Sequence, residues 1–222
     1  MLHPFDNREM TPLENTLWRM RMVAHEVHEI LRGFEATGDV AKALNSHLLF
    51  TISNHALLLC AKFLETWDDL GALAKGDGRI IVARKAVQPL IDRLLVWEGL
   101  RDYRNTIIAH SYLDKKDNLI GPWDLIEQRK VPTYHAEVAA LLHVVILATA
   151  GILMVFSKEY LPITPALAQG RGDPEPGPGI SLGTDVDGVI RPLAEAVGKN
   201  LEEAGVKFVP FIANEFRISD AP

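Results

Sequence analysis

The segment with the clearest potential for chemistry is Leu100–His110, which reads LRDYRNTIIAH. Within seven residues it places Arg104, Asn105 and His110. The arginine guanidinium is a forked cation that suits phosphate, the amide can orient a partner, and the histidine changes its protonation near neutral pH. These residue types at this spacing predict a site for an anionic ligand, with a group that can transfer protons.

The residues that precede this segment are rich in basic side chains. Positions 79–104 hold six basic groups against three acidic ones, namely Arg79, Arg84, Lys85, Arg93, Arg101 and Arg104 against Asp92, Glu98 and Asp102. The sequence therefore predicts a locally positive surface. The structural alternative is a helix end at which Arg104 pairs with Asp102 or Glu98, and His110 helps to terminate the helix.

The remaining candidate motifs do not meet the requirements of known sites. His25 and His28 are three residues apart, whereas the zinc-protease motif needs a separation of four. No Gly-rich phosphate loop and no strand–turn–serine elbow can be found in the sequence. We therefore predict neither a metal nor a cofactor.

Composition describes an acidic, globular chain. It has 222 residues, of which 48% are hydrophobic and 23% charged, and its net charge is −6. That charge argues against avid, non-specific binding of nucleic acid. A single cysteine, Cys60, excludes an intrachain disulfide, and the first residues lack the basic and apolar regions of a secretory signal. Together these features predict a cytoplasmic protein.

Hydrophobic periodicity predicts an all-α bundle of four to five helices. Thr11–Glu14 is a capping box, and apolar residues follow it at alternating separations of four and three: Leu13, Leu17, Met20, Ala24, Val27, Leu31 and Phe34. Further helices are expected over about 40–67 and over about 80–110, with Pro89 as a kink or a restart. A polar loop is expected over 112–132.

The last helix of the bundle, expected over about 133–160, contains the uncharged stretch Val138–Phe156. Its 19 residues are close to the roughly 20 that a bilayer-spanning helix needs. Two interpretations follow: a central helix buried on all sides, or a single membrane pass. The long apolar faces of the preceding helices and the lack of a strong basic flank favour the buried helix.

The composition changes after the bundle, which is expected to occupy residues 1–161. Residues 162–183 contain five prolines and five glycines and predict a linker. Residues 184–222 are then a small appendage, with a short amphipathic helix near 186–201 and an extended segment over 206–212.

The sequence Arg104-Asn105-x-x-x-Ala109-His110 resembles the R-x(4–6)-H signature of HEPN domains, in the RNxxxAH form common among them. The helical pattern over roughly residues 10–160 and the polar loop after His110 are also similar to that family, and the loop resembles the abortive-infection type. The resemblance implies a metal-independent endoribonuclease that acts at a symmetric homodimer interface. It implies that His110 transfers a proton at the ribose 2′-hydroxyl, that Arg104 stabilises charge on the scissile phosphate, and that Asn105 positions one of them.

The resemblance also implies a role as a toxin or defence effector restrained by an antitoxin-like protein. The alternative is a non-catalytic helical module that binds nucleotide or protein through the same pocket, since catalytically silent HEPN proteins belong to the family. A membrane-tethered protein is a weaker third interpretation. On an ideal helix His110 lies about 120° around the axis from Arg104. The helix must therefore end or distort near His110, or two protomers must share the pocket.

Overall fold

The computed structural model describes residues 10–37, 46–110, 130–132, 135–160 and 186–206, and every regular element in them is helical. The helices are α1 (Pro12–Thr37), α2 (Ser46–Ala72), α3 (Gly78–Leu95), α4 (Leu100–His110), α5 (His135–Val155), the short α6 (Ser157–Tyr160) and α7 (Val186–Glu203). The predicted all-α class is thus confirmed for this part of the chain. The predicted linker, and most of the polar loop and of the extended segment, lie outside the described residues.

Helix α1 begins at the predicted capping box. The Glu14 amide donates to Thr11 Oγ1 at 3.2 Å, and the Thr11 amide donates to Glu14 Oε2 at 2.9 Å. Two amide groups that a helix start leaves unpaired are thereby satisfied. The predicted apolar stripe is buried at Leu17, Met20, Ala24, Val27 and Leu31. With this stripe α1 packs against α2 and α5.

Helix α3 follows α2 through one turn of 3₁₀ helix. Asp77 caps its start, because the side-chain Oδ1 accepts a hydrogen bond from the Arg79 amide at 2.9 Å. Hydrogen bonds from the Arg79 side chain, and to a smaller degree from its amide, hold the pKa of Asp77 below its ordinary value. Pro89 lies inside α3, so the expected restart of the helix at this residue is wrong, and the alternative of a kink stays a prediction. The break comes after Leu95, at the turn that leads into α4.

Helix α5 is the centre of the bundle and packs against α1, α2, α3 and α7. Among the described helices it alone is long and apolar enough to cross a membrane, over Ala136–Val155, and 67% of that stretch is buried by the rest of the protein. A core helix of a soluble protein passes the same test of length and composition. The cover that its neighbours provide favours the central-helix interpretation of this segment.

Helix α7 corresponds to the short helix predicted in the appendage, and it packs on α3 and α5. Val197 and Leu201 are buried in the same apolar cluster as the side chains of α1 to α5. The Asn200 side chain donates to the carbonyl of Ala86 in α3 at 3.1 Å. The division of the chain at residues 162–183 stays a prediction, but helix α7 shares the core of the bundle.

Two glycines give a test of this packing. A Cβ at Gly151 in α5 would lie 2.7 Å from Cγ1 of Val87 and 3.3 Å from Cγ1 of Val197, whereas a Cβ at Gly198 in α7 would meet nothing within 4 Å. Overpacking a buried site costs about 1–3 kcal/mol, and replacing a helical glycine by alanine gains about 1 kcal/mol. We expect Gly151→Ala to lower the free energy of unfolding by about 1 kcal/mol.

Gly198→Ala is the matched control and should raise the free energy of unfolding by up to about 1 kcal/mol. Urea denaturation followed by circular dichroism measures both. Stabilisation of similar size in the two variants would contradict the close packing of α5 on α3 and α7.

Candidate functional site

Helix α4, which carries the predicted site, is held against α2. Leu100 and Tyr103 turn into the core and are almost fully buried. The Tyr103 hydroxyl also donates a hydrogen bond to Oδ1 of Asn54 in α2. These contacts fix the start and the middle of α4. The exposed side of the helix, which includes Arg101 and Asn105, can therefore present polar groups on a defined backbone.

The guanidinium of Arg104 lies beside a carboxylate and an amide. Its Nη1 donates to Oε1 of Glu65 in α2 and is 3.5 Å from Oδ1 of Asn105. The Arg104 side chain is 29% exposed and that of Glu65 is 43% exposed, so solvent reaches both groups. If this segment were only a helix end, the sequence predicts that Arg104 pairs with Asp102 or Glu98. The ion pair that the structure shows is with Glu65, 39 residues earlier in the chain.

His110 is the last residue of α4, and its side chain lies outside the described residues. The helix continues from Arg104 to His110 without a break, so the two positions are about 120° apart around the axis. The structure thus brings Arg104 and Asn105 together. Within one chain it does not place His110 on the same face of α4.

The basic segment is largely ion-paired. Arg79 pairs with Asp77 at 2.5 Å, Arg101 pairs with Asp68 at 2.7 Å, and Arg93 and Arg104 pair with Glu137 and Glu65. All four carboxylates, those of Glu65, Asp68, Asp77 and Glu137, lie outside positions 79–104. They therefore balance the positive surface that the composition of the segment predicts.

Arg84 of α3 is fixed by an aromatic ring. Its guanidinium carbon is 3.9 Å from the centre of the Trp67 ring, and its Nη1 donates to the Trp67 carbonyl at 2.6 Å. A Cβ at position 71 would lie 2.5 Å from the same Nη1, so any side chain larger than the hydrogen of Gly71 would clash with Arg84. Partial burial lowers the pKa of Arg84, and the charge of the nearby Asp68 opposes that shift.

Sequence reasoning missed the acidic residues that hold these arginines. Asp68 and Asp69 follow Glu65 by three and four residues, a spacing that is visible in the sequence. This spacing places their side chains on the same side of α2 as that of Glu65. Asp69 binds Arg19 of α1, which the sequence analysis did not single out. Cys60, on the same helix, is fully buried, and burial raises the pKa of its thiol to about 12, so this side chain is no candidate nucleophile.

The pair Arg104–Glu65 can be tested for its strength. Because both side chains are partly exposed, the double-mutant cycle of Arg104→Gln and Glu65→Gln should give a coupling energy of about 0.2–1 kcal/mol. Urea denaturation of the four proteins measures it. A coupling of 3 kcal/mol or more, the range of about 3–5 kcal/mol seen when a buried pair is broken, would show that Arg104 is locked into the fold.

Comparison with protein-family models, with curated proteins and with solved structures finds no match to this chain. The resemblance of Arg104-Asn105 and His110 to the HEPN signature therefore rests on the residues themselves.

Proposed function

We propose that the protein is a metal-independent endoribonuclease with a HEPN-like helical bundle. The observation that carries the proposal is the placement of Arg104. Its guanidinium is partly exposed on α4 and is held next to the Asn105 amide, six residues before His110 on the same helix. A positioned arginine beside a hydrogen-bonding amide is suited to one phosphate group.

The proposed reaction is an internal transfer at phosphorus. A histidine imidazole takes the proton of the ribose 2′-hydroxyl, and the 2′-oxygen attacks the adjacent phosphorus. The bond to the 5′-oxygen breaks, that oxygen receives a proton, and a 2′,3′-cyclic phosphate remains. Arg104 stabilises the charge that builds up on the phosphate oxygens. RNA is the substrate because DNA lacks the 2′-hydroxyl that serves as nucleophile.

The two proton transfers support a homodimer. One imidazole takes a proton and another group must supply one, and the positions of Arg104 and His110 diverge around α4. A two-fold axis that brings two α4 helices together would place His110 of one protomer near Arg104 of the other. An antitoxin-like partner would then act by covering this interface.

The ion pairs of the basic segment favour a second candidate, a non-catalytic binding module. Glu65 neutralises Arg104, and Asp68 neutralises Arg101, so the resting surface does not attract a polyanion strongly. In that candidate function the same pocket binds a nucleotide or a protein and no bond is broken. Cleavage of RNA separates the two functions.

The test is cleavage of single-stranded RNA by the purified protein in excess EDTA. The wild-type protein should leave 2′,3′-cyclic phosphate ends, detected by mass spectrometry. His110→Ala should reduce the rate by about 10²–10⁴ because a general acid or base is lost. Arg104→Ala should reduce it by about 10²–10³ because one charge-stabilising group is removed.

His25→Ala is the matched control, since His25 is an exposed histidine on α1 outside the motif. It should keep the wild-type rate, and all variants should keep the wild-type helical content and unfolding midpoint. Cleavage by His110→Ala at the wild-type rate would contradict the assignment. Binding of RNA without cleavage by the wild-type protein would favour the binding module.

A further inference from the structure

Arginines from two helices converge on one end of α2. Arg101 and Arg104 of α4 bind Asp68 and Glu65, and Arg19 of α1 binds Asp69. The three carboxylates lie within five residues of α2, about one turn of helix. The guanidinium groups of α1 and α4, which are far apart in sequence, are therefore held at the same end of α2. We call Arg19, Arg101 and Arg104 the arginine cluster.

Guanidinium groups from three helices lie at this end of α2. Arg84 of α3, stacked on Trp67, adds a fourth guanidinium close to Asp68. Glu65, Asp68 and Asp69 face these groups, and Asp102 is the next residue after Arg101 on α4. The charges here are therefore close to balance, and a phosphate would bind by taking the place of a carboxylate.

The pairs in the cluster are more exposed than an ion pair that only supports the fold, although Arg104 of the third pair, at 29%, is less exposed than the others. Arg19–Asp69 and Arg101–Asp68 have side chains that are 44–55% exposed. Arg93 and Glu137 are each 22% exposed, and Nε1 of Trp97 also donates to Glu137 at 2.8 Å. Exposed pairs contribute only about 0–1 kcal/mol, so the carboxylates of the cluster can be exchanged for another anion at small cost.

Resting on the proposed function, we propose that the arginine cluster binds the phosphodiester backbone of single-stranded RNA next to the scissile phosphate. Each phosphate takes the place of one carboxylate, because the planar fork of arginine fits the two groups in the same way. Arg104 binds the reacting phosphate, and Arg101 and Arg19 bind phosphates further along the strand. Glu65, Asp68 and Asp69 hold the guanidinium groups in position until the RNA arrives.

The test measures binding of a fluorescein-labelled 2′-O-methyl oligonucleotide, which has no nucleophile for cleavage, by fluorescence anisotropy at several salt concentrations. Arg19→Gln should weaken binding about fivefold at 0.1 M salt and lower the slope of log K against log salt by about 0.7, because one phosphate contact is lost. Asp69→Asn should strengthen binding, since it removes the carboxylate that competes for Arg19.

Glu203→Gln is the matched control for Asp69→Asn. It makes the same change of charge and releases Lys199 on α7, away from the cluster, so it should leave affinity unchanged. If the Arg19–Asp69 pair only stabilised the fold, Asp69→Asn would lower the unfolding midpoint and would not strengthen binding of the oligonucleotide. That result would overturn the proposal. A salt slope that is unchanged in Arg19→Gln would also overturn it.

The outcome does not depend on cleavage. If the wild-type protein cuts no RNA while the oligonucleotide responds to Arg19 and Asp69 as described, the ribonuclease proposal fails and the arginine cluster stands as a binding surface. The opposite outcome is that the protein cuts RNA in a manner that requires His110, while its affinity for the oligonucleotide is the same in the Arg19 and Asp69 variants. In that case the ribonuclease proposal stands, and Arg104 is the one arginine of the cluster that binds RNA.

Discussion

The burial of α5 is the constraint on which the rest of the fold depends. A helix that carries no charge after Glu137 has to be covered on most of its surface in water, because each fully buried Leu, Ile, Val or Phe side chain contributes about 1.5–3 kcal/mol relative to exposure. Helices α1, α2, α3 and α7 supply that cover. Their amphipathic faces follow from this arrangement, and so does the absence of a side chain at Gly151, where Val87 and Val197 approach α5.

Helix α4 has a different place in the structure. Its main neighbour is α2, to which Tyr103 and the arginines Arg101 and Arg104 attach it. Because α4 is not needed to cover α5, its outward side is free to carry polar residues. The candidate site thus lies on a short peripheral helix, whose position depends on the buried side chains of Leu100 and Tyr103 and on a few ion pairs.

Local sequence rules predicted the features that local interactions determine. The capping box at Thr11–Glu14 and the apolar stripe of α1 depend on residues three and four apart, and the structure contains both. Of the two outcomes expected at Pro89, a restart of the helix does not occur, because packing of α3 against α5 and α7 outweighs the loss of one helical hydrogen bond. Residue types in Arg104-Asn105 and His110 suggested a site, but the partner of Arg104 comes from a different helix and follows from the fold alone.

The ion pairs on α2 determine how the site can respond to an anion. If α4 carried free arginines, an acidic protein would still attract nucleic acid of any kind at this surface. Because Glu65, Asp68 and Asp69 already bind the arginines, a phosphate has to replace a carboxylate. Its net free energy of binding is then only the difference between the arginine–phosphate and the arginine–carboxylate interaction. A single phosphate gains little from this exchange. In a strand whose phosphates bind several arginines together, the small free energies of the individual exchanges add up. The arrangement therefore favours a chain of phosphates over an isolated anion.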